Sequence, residues 1–344
     1  MKVLLLAAGR SKRMKPVSDK NFLNFLGKPL IWHQVDMLRR NGFKEIVIVG
    51  GEHNLPALRE FDFGFGDDVS IEFCEQEVLD DGMKGAVESS FEMVKDDAVL
   101  IMSSNDVVDD SAFNALNAAI SEGGAEAFII GKKVESYFPG GYLETDNAGF
   151  IHNIVEKPGA GNEPSDLVNL VLHYYSDPSV LMDALQNCES GQDDKYEVAM
   201  ADMMKAGVKF KAVSYDGPWH PIKFPWHIQN VFRFLFEKAE KGVSDGAKVA
   251  DSAVINGEVI IEDGVKIFDG AVINGPAYIG TGSVVATNAL VRDSHVGANC
   301  VVGFITEIAR SYLGHDVWTH SNYVGDSVIG NNVSFGAGSN TGNL

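Results

Sequence analysis

The chain has 344 residues, 45% of them hydrophobic and 22% charged, a composition typical of soluble globular proteins of about two domains. Lysine and arginine number 28 against 48 acidic residues, and the net charge of −20 excludes nucleic acid as a general partner because phosphate backbones would be repelled. No run of about 18 apolar residues occurs, which excludes a membrane span. The cysteines (Cys74, Cys188 and Cys300) lack metal-binding spacing, so we expect reduced thiols in a cytoplasmic protein.

The first 225 residues alternate short apolar runs with amphipathic segments. We predict buried strands and helices in alternation, with strands at Val3–Leu6, Glu45–Gly50, Ser70–Phe73, Val99–Met102 and Ala127–Ile130 and helices at Leu30–Asn41 and Gly85–Lys95. This pattern predicts an α/β domain over residues 1–225, with a mixed, mostly parallel sheet and helices on both faces. Ligands of such sheets bind at the carboxyl ends of the strands.

A linker over residues 226–245 follows, predicted as an amphipathic helix over Trp226–Lys241. Beyond it, Ile or Val recurs at intervals of six residues, and glycine follows many of the aliphatic positions, as in Val296-Gly297 and Val302-Gly303. The column runs through Ile255, Ile261, Ile267, Ile273, Ile279, Val285 and Val291, then slips by one residue and continues at Val296, Val302 and Ile308. A six-residue repeat is typical of a parallel β-helix, which we predict over residues 246–344.

The repeat is still in progress where the sequence stops, at Asn343-Leu344. A β-helix buries its aliphatic column inside but leaves its last coil open. We therefore expect either a truncated coil or a partner that caps the open end.

A basic loop follows the first predicted strand. Leu6 ends the strand, and Ala7, Ala8 and Gly9 are small enough to let backbone N–H groups approach a ligand closely. The stretch from Leu4 to Leu30 contains six basic side chains: Arg10, Lys12, Arg13, Lys15, Lys20 and Lys28. In so acidic a chain this local positive charge predicts an anionic ligand, with phosphate groups the leading candidate.

The order of residues in this stretch resembles the signature of the sugar nucleotidyltransferases. The matching positions are Leu6-Ala7-Ala8-Gly9, Arg13-Met14-Lys15-Pro16, Lys20 and Gly27-Lys28-Pro29. The resemblance implies a Rossmann-like domain whose loop folds around a nucleoside triphosphate, with Leu6, Ala8 and Gly9 as nucleotide contacts. It also implies that Arg13 stabilises the departing pyrophosphate and that Lys20 contacts the transferred α-phosphate.

Two later segments resemble the base and metal segments of the same family. Glu75-Gln76, followed by Gly82–Ala86, resembles the base-reading segment, which implies that Gln76 and Gly82 contact the pyrimidine. Asn105-Asp106 resembles the Gly-Asp pair whose carboxylate binds Mg²⁺, which implies Asp106 as a metal ligand. A carboxylate directly after a buried strand is well placed for that role.

The sugar site of the family is matched by three further segments. They are Gly140-Gly141-Tyr142, Glu156-Lys157-Pro158 and Asn169. The resemblance implies that Glu156 binds sugar hydroxyls and that Lys157 binds the sugar phosphate. Gly141 and Asn169 are implied as additional sugar contacts.

Two positions depart from the family pattern. Ser11 and Lys12 stand where glycine and a threonine or serine usually precede the arginine, and serine turns less freely than glycine. Pro221 stands where a second metal-binding Asp is usual, in the segment Trp219-His220-Pro221, and proline has no ligating side chain. The nearby candidates for a substitute are His220, although imidazole is a poor ligand for Mg²⁺, and Asp216.

The coil resembles the left-handed β-helix of hexapeptide acyltransferases. The segment from His320 to Gly330 resembles the acetyl-transfer segment of bifunctional enzymes that acetylate glucosamine-1-phosphate and uridylylate the product. The resemblance implies His320 as general base, Tyr323 as a sugar-phosphate contact and acetyl-CoA as a possible cosubstrate. Residues 337–344 resemble the segment after which further coils normally bind acetyl-CoA.

These features predict an enzyme that joins a sugar-1-phosphate, expected to be N-acetylglucosamine-1-phosphate, to a nucleoside triphosphate, expected to be UTP. Pyrophosphate is the second product, Mg²⁺ the expected cofactor and a homotrimer the expected assembly. One alternative is thymidylyl transfer to glucose-1-phosphate. The other is a non-catalytic subunit that binds a nucleotide sugar in a regulatory or scaffold role, which Lys12 and Pro221 favour.

Overall fold

The structure, a computed structural model, describes residues 1–17, 19–190 and 194–342. In those ranges no helix is both long and apolar enough to cross a membrane. Backbone packing divides the chain into two compact units. The first contains Met1–Arg10 and Trp32–Trp219, and the second contains Ser11–Ile31 together with His220 and the residues after it. Most of the basic stretch, Ser11–Ile31, thus belongs to the second unit. The domain boundaries predicted at residues 225 and 245 remain proposals drawn from the sequence.

Strands and helices alternate over much of the first 221 residues, as predicted, although residues 127–175 form four strands in succession with no helix between them. In chain order they are β1 (Lys2–Leu6), β2 (Asn24–Phe25), β3 (Lys28–Pro29), α1 (Leu30–Arg40), β4 (Glu45–Gly50), α2 (Leu55–Glu60), β5 (Ser70–Glu75), α3 (Gly82–Ser90), β6 (Val99–Ser103), β7 (Asp106–Val108), α4 (Asp110–Glu122), β8 (Ala127–Lys133), β9 (Gly141–Thr145), β10 (Phe150–Glu156), β11 (Leu167–Tyr175), α5 (Pro178–Asn187), α6 (Lys195–Lys205), β12 (Phe210–Ser214) and β13 (Trp219–Pro221).

The first unit is built on a sheet in the order β5-β4-β1-β6-β11-β8-β12-β10-β9. Only β11 and β10 run opposite to the other strands of this sheet, so the predicted mixed, mostly parallel sheet is confirmed. The five predicted strands all form. β1, β4, β6 and the start of β8 are apolar runs buried on both faces, whereas β5 lies at the edge of the sheet and its side chains are exposed or partly buried. β1, β4 and β6 therefore end at the same edge of the sheet.

Two predicted helices differ from the observed ones at their ends. The helix predicted over Gly85–Lys95 begins earlier, at Gly82, and ends at Ser90, where a short 3-10 helix over Phe91–Met93 follows. The helix predicted over Trp226–Lys241 spans only Ile228–Lys238, which we label α7, after a 3-10 turn that contains Pro225.

Short strands follow α7 in the second unit. They are β14 (Gly242–Val243), β15 (Lys248–Val249), β16 (Val254–Asn256), β17 (Val259–Ile261), β18 (Lys266–Ile267), β19 (Val272–Ile279), β20 (Val284–Val285), β21 (Leu290–Val296), β22 (Val301–Val302), β23 (Glu307–Ala309), β24 (Tyr312–Leu313), β25 (Tyr323–Gly325) and β26 (Val328–Ile329). All of them pair in parallel with the strand one coil away, which confirms the predicted parallel β-helix.

The register explains the period of six. Ile255 pairs with Ile273, and Ile273 with Val291, so one coil is eighteen residues long and contains three hexads. Val291 then pairs with Ile308, and Ile308 with Val324, so later coils are shorter by one and two residues. The aliphatic column fills the interior as predicted.

One face of the coil is covered by a hairpin and a helix of the same unit. Tyr278, His295 and Tyr312 occupy paired positions on successive coils and stack with ring centroids 4.7 Å apart; we call these three residues the aromatic ladder. Phe232 of α7 packs edge-on against His295 at 5.4 Å. Phe25 of the β2–β3 hairpin packs against Tyr312 at 5.9 Å. Each aromatic pair contributes roughly 0.5–1.5 kcal/mol beyond the burial of its surface.

The hairpin is held to the aromatic ladder by more than ring contacts. The hydroxyl of Tyr312 donates a hydrogen bond of 2.9 Å to the carbonyl of Asn24. Gly27 turns with a φ of 79°, and a Cβ at this position would lie 3.1 Å from the hydroxyl oxygen of Tyr278. The ladder is almost wholly buried, and burial lowers the pKa of His295 to about 3, so its imidazole is neutral at pH 7.

Candidate functional site

The loop after β1 lies at the carboxyl edge of the sheet, as predicted for Leu6, Ala8 and Gly9. The N–H of Ala7 donates to the carbonyl of Val49 at 2.8 Å, which continues the β1–β4 pairing into the loop. The carbonyl of Ala7 accepts a hydrogen bond of 2.9 Å from the buried amide of Asn54. The small residues of the loop are therefore held in place by backbone contacts, and their size allows a ligand to approach.

Gln76 organises the turn that follows β5. Its side chain is only 4% exposed, and its Nε2 donates to the carbonyl of Gly82 at 2.8 Å and to that of Val78 at 3.1 Å. A Cβ on Gly85 would lie 2.9 Å from this Nε2, so the helix start fits against Gln76 only without a side chain there. The structure thus brings the two predicted base contacts, Gln76 and Gly82, into direct contact.

Ion pairs join this turn to two other parts of the first unit. Arg10, in the loop that follows β1, pairs with Asp80 at 2.7 Å, and Lys195, at the start of α6, pairs with Asp81 at 2.9 Å. Both pairs are accessible to solvent, so each contributes little to the stability of the fold. Arg10 therefore lies against the turn between Gln76 and Gly82.

Asp106 begins β7, directly after β6, at the same edge of the sheet. Its Oδ1 accepts a hydrogen bond of 2.9 Å from the indole Nε1 of Trp219. From the other side, the buried amide of Gln34 donates to the carbonyl of Ser104 at 2.8 Å and to that of Asp106 at 3.2 Å. The carboxylate and its backbone are therefore held by two side chains that sequence reasoning did not assign.

The second metal ligand sought around His220 is not found. Burial lowers the pKa of His220, and its ring packs against Phe234 at 4.9 Å. Among the described residues, no three His, Cys, Asp or Glu side chains gather where they could hold a metal ion. Asp106 is thus the carboxylate on which a cation site would depend.

The predicted sugar residues lie side by side. Gly141 and Glu156 are paired in the β9–β10 register, and a Cβ on Gly141 would lie 3.1 Å from Oε2 of Glu156. The same added Cβ on Gly141 would lie 3.6 Å from the Cβ of Asn169. Lys157 follows with a φ of 46°, and its Nζ lies 2.7 Å from Oε1 of Glu156. A side chain at position 141 would fill this cluster, which explains the glycine.

The remaining predicted residues of the basic stretch, Arg13 and Lys20, belong to the second unit. The guanidinium carbon of Arg13 lies 5.3 Å from the ring centre of Phe224, a cation–π distance. Ser11 has left-handed backbone with a φ of 51°, where the family usually has glycine, and its Oγ accepts a hydrogen bond of 3.2 Å from the N–H of Lys20. The serine hydroxyl offsets part of the backbone strain.

His320 lies on the coil, also in the second unit, and its side chain is exposed. The backbone N–H of His320 donates a hydrogen bond of 2.6 Å to Oδ1 of Asn322, which fixes the corner of the coil. Tyr323, half-buried, is three residues further on, and Arg310 beside it forms a bidentate pair with Asp326 at 2.5 and 2.6 Å. That pair holds the pKa of the Asp326 carboxyl below its usual value.

A buried polar network lies behind the sugar cluster and was also missed. His173 contacts Asn169 through Nε2 at 2.7 Å and the hydroxyl of Tyr196 through Nδ1 at 3.0 Å. The hydroxyl of Tyr175 lies 2.9 Å from that of Tyr196. The one signal in the sequence is a histidine inside the apolar run Leu167–Tyr175, because a buried histidine needs hydrogen-bond partners.

This arrangement places the chain among α/β proteins that bind nucleotides at the carboxyl edge of a sheet. The profile of the nucleotidyl transferase family matches residues 2–220, and the chain belongs to that family. The whole chain also aligns with relatives, one of them named as a sugar-1-phosphate nucleotidylyltransferase, and together with the family match this identifies the protein as a nucleotidyltransferase enzyme.

A bifunctional sugar-1-phosphate nucleotidylyltransferase/acetyltransferase from Sulfurisphaera tokodaii is 30% identical over 351 aligned positions, covering 100% of this chain and 83% of the relative. The bifunctional protein GlmU from Methanocaldococcus jannaschii is 28% identical, with 100% and 81% covered.

Solved structures show the same fold. A protein assigned as a glucose-1-phosphate thymidylyltransferase from Bacillus anthracis superposes with a TM-score of 0.60 at 20% identity, covering 70% of this chain and 97% of that one. A UDP-glucose pyrophosphorylase without ligand has a TM-score of 0.60 at 17% identity, covering 69% and 98%.

Proposed function

We propose that the enzyme joins N-acetylglucosamine-1-phosphate to UTP and releases pyrophosphate. The observation that carries this proposal is the cluster of Gly141, Glu156 and Asn169, an acid and an amide beside a glycine where a sugar ring can approach. The alignment of the whole chain with bifunctional relatives, one of them also named as an acetyltransferase, supports an acetylated amino sugar over a plain hexose.

The turn between Gln76 and Gly82, for which we propose contacts to the base of the nucleotide, supports a pyrimidine whose N3 carries a proton. Because Nε2 of Gln76 is engaged by two carbonyls, the group left for a ligand is its Oε1, a hydrogen-bond acceptor. Among the described residues nothing donates to that oxygen. The N3–H of uracil or thymine would suit it, whereas N3 of cytosine is itself an acceptor. We therefore expect UTP or dTTP to be used in preference to CTP.

For the metal we propose Mg²⁺ at Asp106. Magnesium typically takes one or two protein carboxylates and completes its shell with phosphate oxygens and water, so Asp106, directly after β6, is sufficient as a protein carboxylate for such a site. The side-chain oxygen of the neighbouring Asn105 is buried without a hydrogen-bond partner among the described residues, and such a carbonyl oxygen suits a hydrated cation. When bound, Mg²⁺ would neutralise charge on the phosphate oxygens.

The chain's own groups would act mainly by positioning, as is usual in phosphoryl transfer. Glu156 would hold the sugar hydroxyls and Lys157 its phosphate, whose oxygen attacks the α-phosphorus in line with the departing pyrophosphate. For Arg13 and Lys20 we propose contacts to the leaving pyrophosphate and to the α-phosphate. These two assignments rest on the family signature in the basic stretch.

For the coil we propose acetyl transfer from acetyl-CoA to an amino sugar phosphate, with His320 as general base and Tyr323 as a phosphate contact. The exposed position of His320 and the acetyltransferase named for the relative from Sulfurisphaera tokodaii support it. Thiol release from acetyl-CoA with glucosamine-1-phosphate tests the activity, and His320→Ala should abolish it. We also propose a homotrimer, which light scattering tests.

The decisive experiment measures pyrophosphate release with UTP, dTTP and CTP against a panel of sugar-1-phosphates in Mg²⁺. We expect the fastest turnover with UTP and N-acetylglucosamine-1-phosphate, and dTTP with glucose-1-phosphate as the best pair would instead establish the thymidylyl alternative. Asp106→Asn should abolish turnover. Asp110→Asn, which weakens the contacts of the Asp110 carboxylate with Arg40 and Asn41, should retain it.

The panel also tests the non-catalytic alternative. If no pair turns over while a nucleotide sugar still raises the melting temperature, the chain is a nucleotide-sugar-binding subunit and the proposed function is wrong.

A further inference from the structure

An irregularity in β11 brings two side chains into contact that a regular strand would keep apart. Asn169 pairs with Gly131 of β8, but His173 pairs with Ile129, so four steps along β11 match two steps along β8. In a regular strand, residues four apart are separated by about 13 Å. Here Nε2 of His173 lies 2.7 Å from Oδ1 of Asn169, so the bulge places the imidazole directly behind the amide.

The hydrogen bonds of this network have one consistent direction. Oδ1 of Asn169 can only accept, so Nε2 of His173 carries the proton and donates. Nδ1 then accepts from the hydroxyl of Tyr196, and the Tyr196 oxygen accepts from the hydroxyl of Tyr175. All three rings are buried, and the imidazole is neutral because burial lowers its pKa to about 3.

This direction decides what Asn169 offers to a ligand. Its Oδ1 is used by His173, and its Nδ2 has no partner among the described residues, although the side chain is half-exposed. The neighbouring carboxylate of Glu156 can only accept. The cluster therefore presents one fixed acceptor and one fixed donor to the sugar.

We propose that His173 is a positioning residue that locks the Asn169 amide with its NH₂ group toward the sugar. This inference rests on the proposed function of the cluster. The inference predicts two groups on the sugar ligand. One is a hydroxyl that donates a hydrogen bond to Glu156. The other is an oxygen atom, in a hydroxyl or an amide carbonyl, that accepts a hydrogen bond from Asn169. Without the imidazole N–H, the side-chain amide of Asn169 can flip and exchange the positions of its Oδ1 and Nδ2. The site would then present a second hydrogen-bond acceptor to the sugar in place of its donor.

The test compares His173→Leu, which removes the N–H, with His173→Gln, whose Nε2 can still donate to Asn169. We expect His173→Leu to raise KM for the sugar-1-phosphate roughly tenfold, the worth of one hydrogen bond, while KM for the nucleotide stays unchanged. His173→Gln should recover most of that loss. The matched control is His152→Leu, an exposed histidine on β10, which should leave both KM values unchanged.

A double-mutant cycle asks whether His173 acts through Asn169. In an Asn169→Ala background, His173→Leu should have no additional effect on KM for the sugar-1-phosphate. An equal loss in both backgrounds, or an unchanged KM in folded His173→Leu, would overturn the proposal.

A measurement on the unmodified protein keeps the inference separate from the enzymatic proposal. Nitrogen-15 NMR of labelled histidine should show the His173 ring protonated at Nε2 and unprotonated at Nδ1. The reverse tautomer would overturn the positioning role even if the enzyme turns over. Absence of turnover with every substrate pair, together with the expected tautomer, would instead defeat only the proposed function.

Discussion

The indole Nε1 of Trp219 donates a hydrogen bond of 2.9 Å to Oδ1 of Asp106, two residues that lie 113 positions apart. Phe138 packs against the indole at 4.5 Å and limits its movement. Trp219 comes two residues before Pro221, where the family usually has a second metal-binding carboxylate. In this chain the segment therefore contributes an orienting hydrogen bond to the first carboxylate.

Trp219→Phe should weaken the binding of Mg²⁺ and so raise the Mg²⁺ concentration that turnover requires. Phenylalanine keeps an aromatic ring against Phe138 but cannot hold Asp106, and loss of such a supporting hydrogen bond typically costs 10- to 100-fold in metal affinity. We expect the Mg²⁺ concentration for half-maximal pyrophosphate release to rise by about tenfold. A titration of initial rate against Mg²⁺ measures it.

Trp32→Phe is the matched control. Its Nε1 donates to the carbonyl of Phe63 at 2.9 Å, so the same chemical change is made at another place. It should lower the melting temperature but leave the Mg²⁺ titration as in the unmodified enzyme. Superimposable titrations for Trp219→Phe and the unmodified enzyme would refute the orienting role.

Gly27→Ala should destabilise the contact between the β2–β3 hairpin and the aromatic ladder. The residue has a φ of 79°, and a Cβ would meet the hydroxyl of Tyr278 at 3.1 Å. Backbone strain and crowding together should cost about 2 kcal/mol, measured as a lower midpoint of thermal unfolding.

Two further variants separate strain from crowding at the hairpin. Gly42→Ala, with a φ of 87° and open space around it, should cost only about 1 kcal/mol. Tyr278→Phe removes the hydroxyl that Gly27→Ala would meet, so the double variant should regain part of the loss. If the double variant is no more stable than Gly27→Ala, the hydroxyl of Tyr278 does not crowd the hairpin at position 27.

Stability should fall as the pH is lowered from 6.5 toward 3. Burial lowers the pKa of His173 and of His295 to about 3, against an ordinary value of 6.5, so between these pH values the unfolded chain binds more protons than the folded one. Acid then favours unfolding, by roughly 2 kcal/mol for each histidine at pH 5.

His295→Phe isolates one of these contributions. It keeps an aromatic ring in the ladder, removes an Nε2 that is buried without a partner among the described residues, and removes the titrating group. The melting temperature of this variant should depend less on pH between 7 and 5. An unchanged slope would mean that His295 is protonated when folded.

Gly303→Ala should disrupt the coil, whereas Gly336→Ala should be tolerated. A Cβ at Gly303 would lie 2.3 Å from the carbonyl oxygen of Thr319 on the next coil, and backbone cannot move aside there. At Gly336 the nearest atom is 3.8 Å away. We expect a loss of more than about 3 kcal/mol for the first and under about 0.5 kcal/mol for the second, from circular dichroism melts. Equal melts would contradict this packing.

The β-helix could be predicted from sequence because each coil repeats the same packing problem. The period of six follows from one inward aliphatic per side, and the glycine after Val302 follows from the backbone of the next coil. The residues that could bind phosphate and sugar were also visible, because charge and motif order are local properties of the chain.

What could not be predicted depends on contacts between distant segments. Nothing near Asp106 in the sequence indicates that Trp219 and Gln34 hold it, since those contacts need the folded sheet. Similarly, the bulge that joins His173 to Asn169 depends on the pairing of β11 with β8. The outward positions of the aromatic ladder look like surface residues until the hairpin and α7 cover them.

The hydrogen bond from Tyr312 to Asn24 spans 288 positions, which has a consequence for biosynthesis. The β2–β3 hairpin leaves the ribosome among the first residues, but the surface on which it packs is not complete until the third residue of the ladder has been made. At about 5–20 residues per second this leaves a wait of roughly 15–60 seconds. During that time the buried face of Phe25 is exposed, so the nascent chain is most open to chaperones or to aggregation at its beginning.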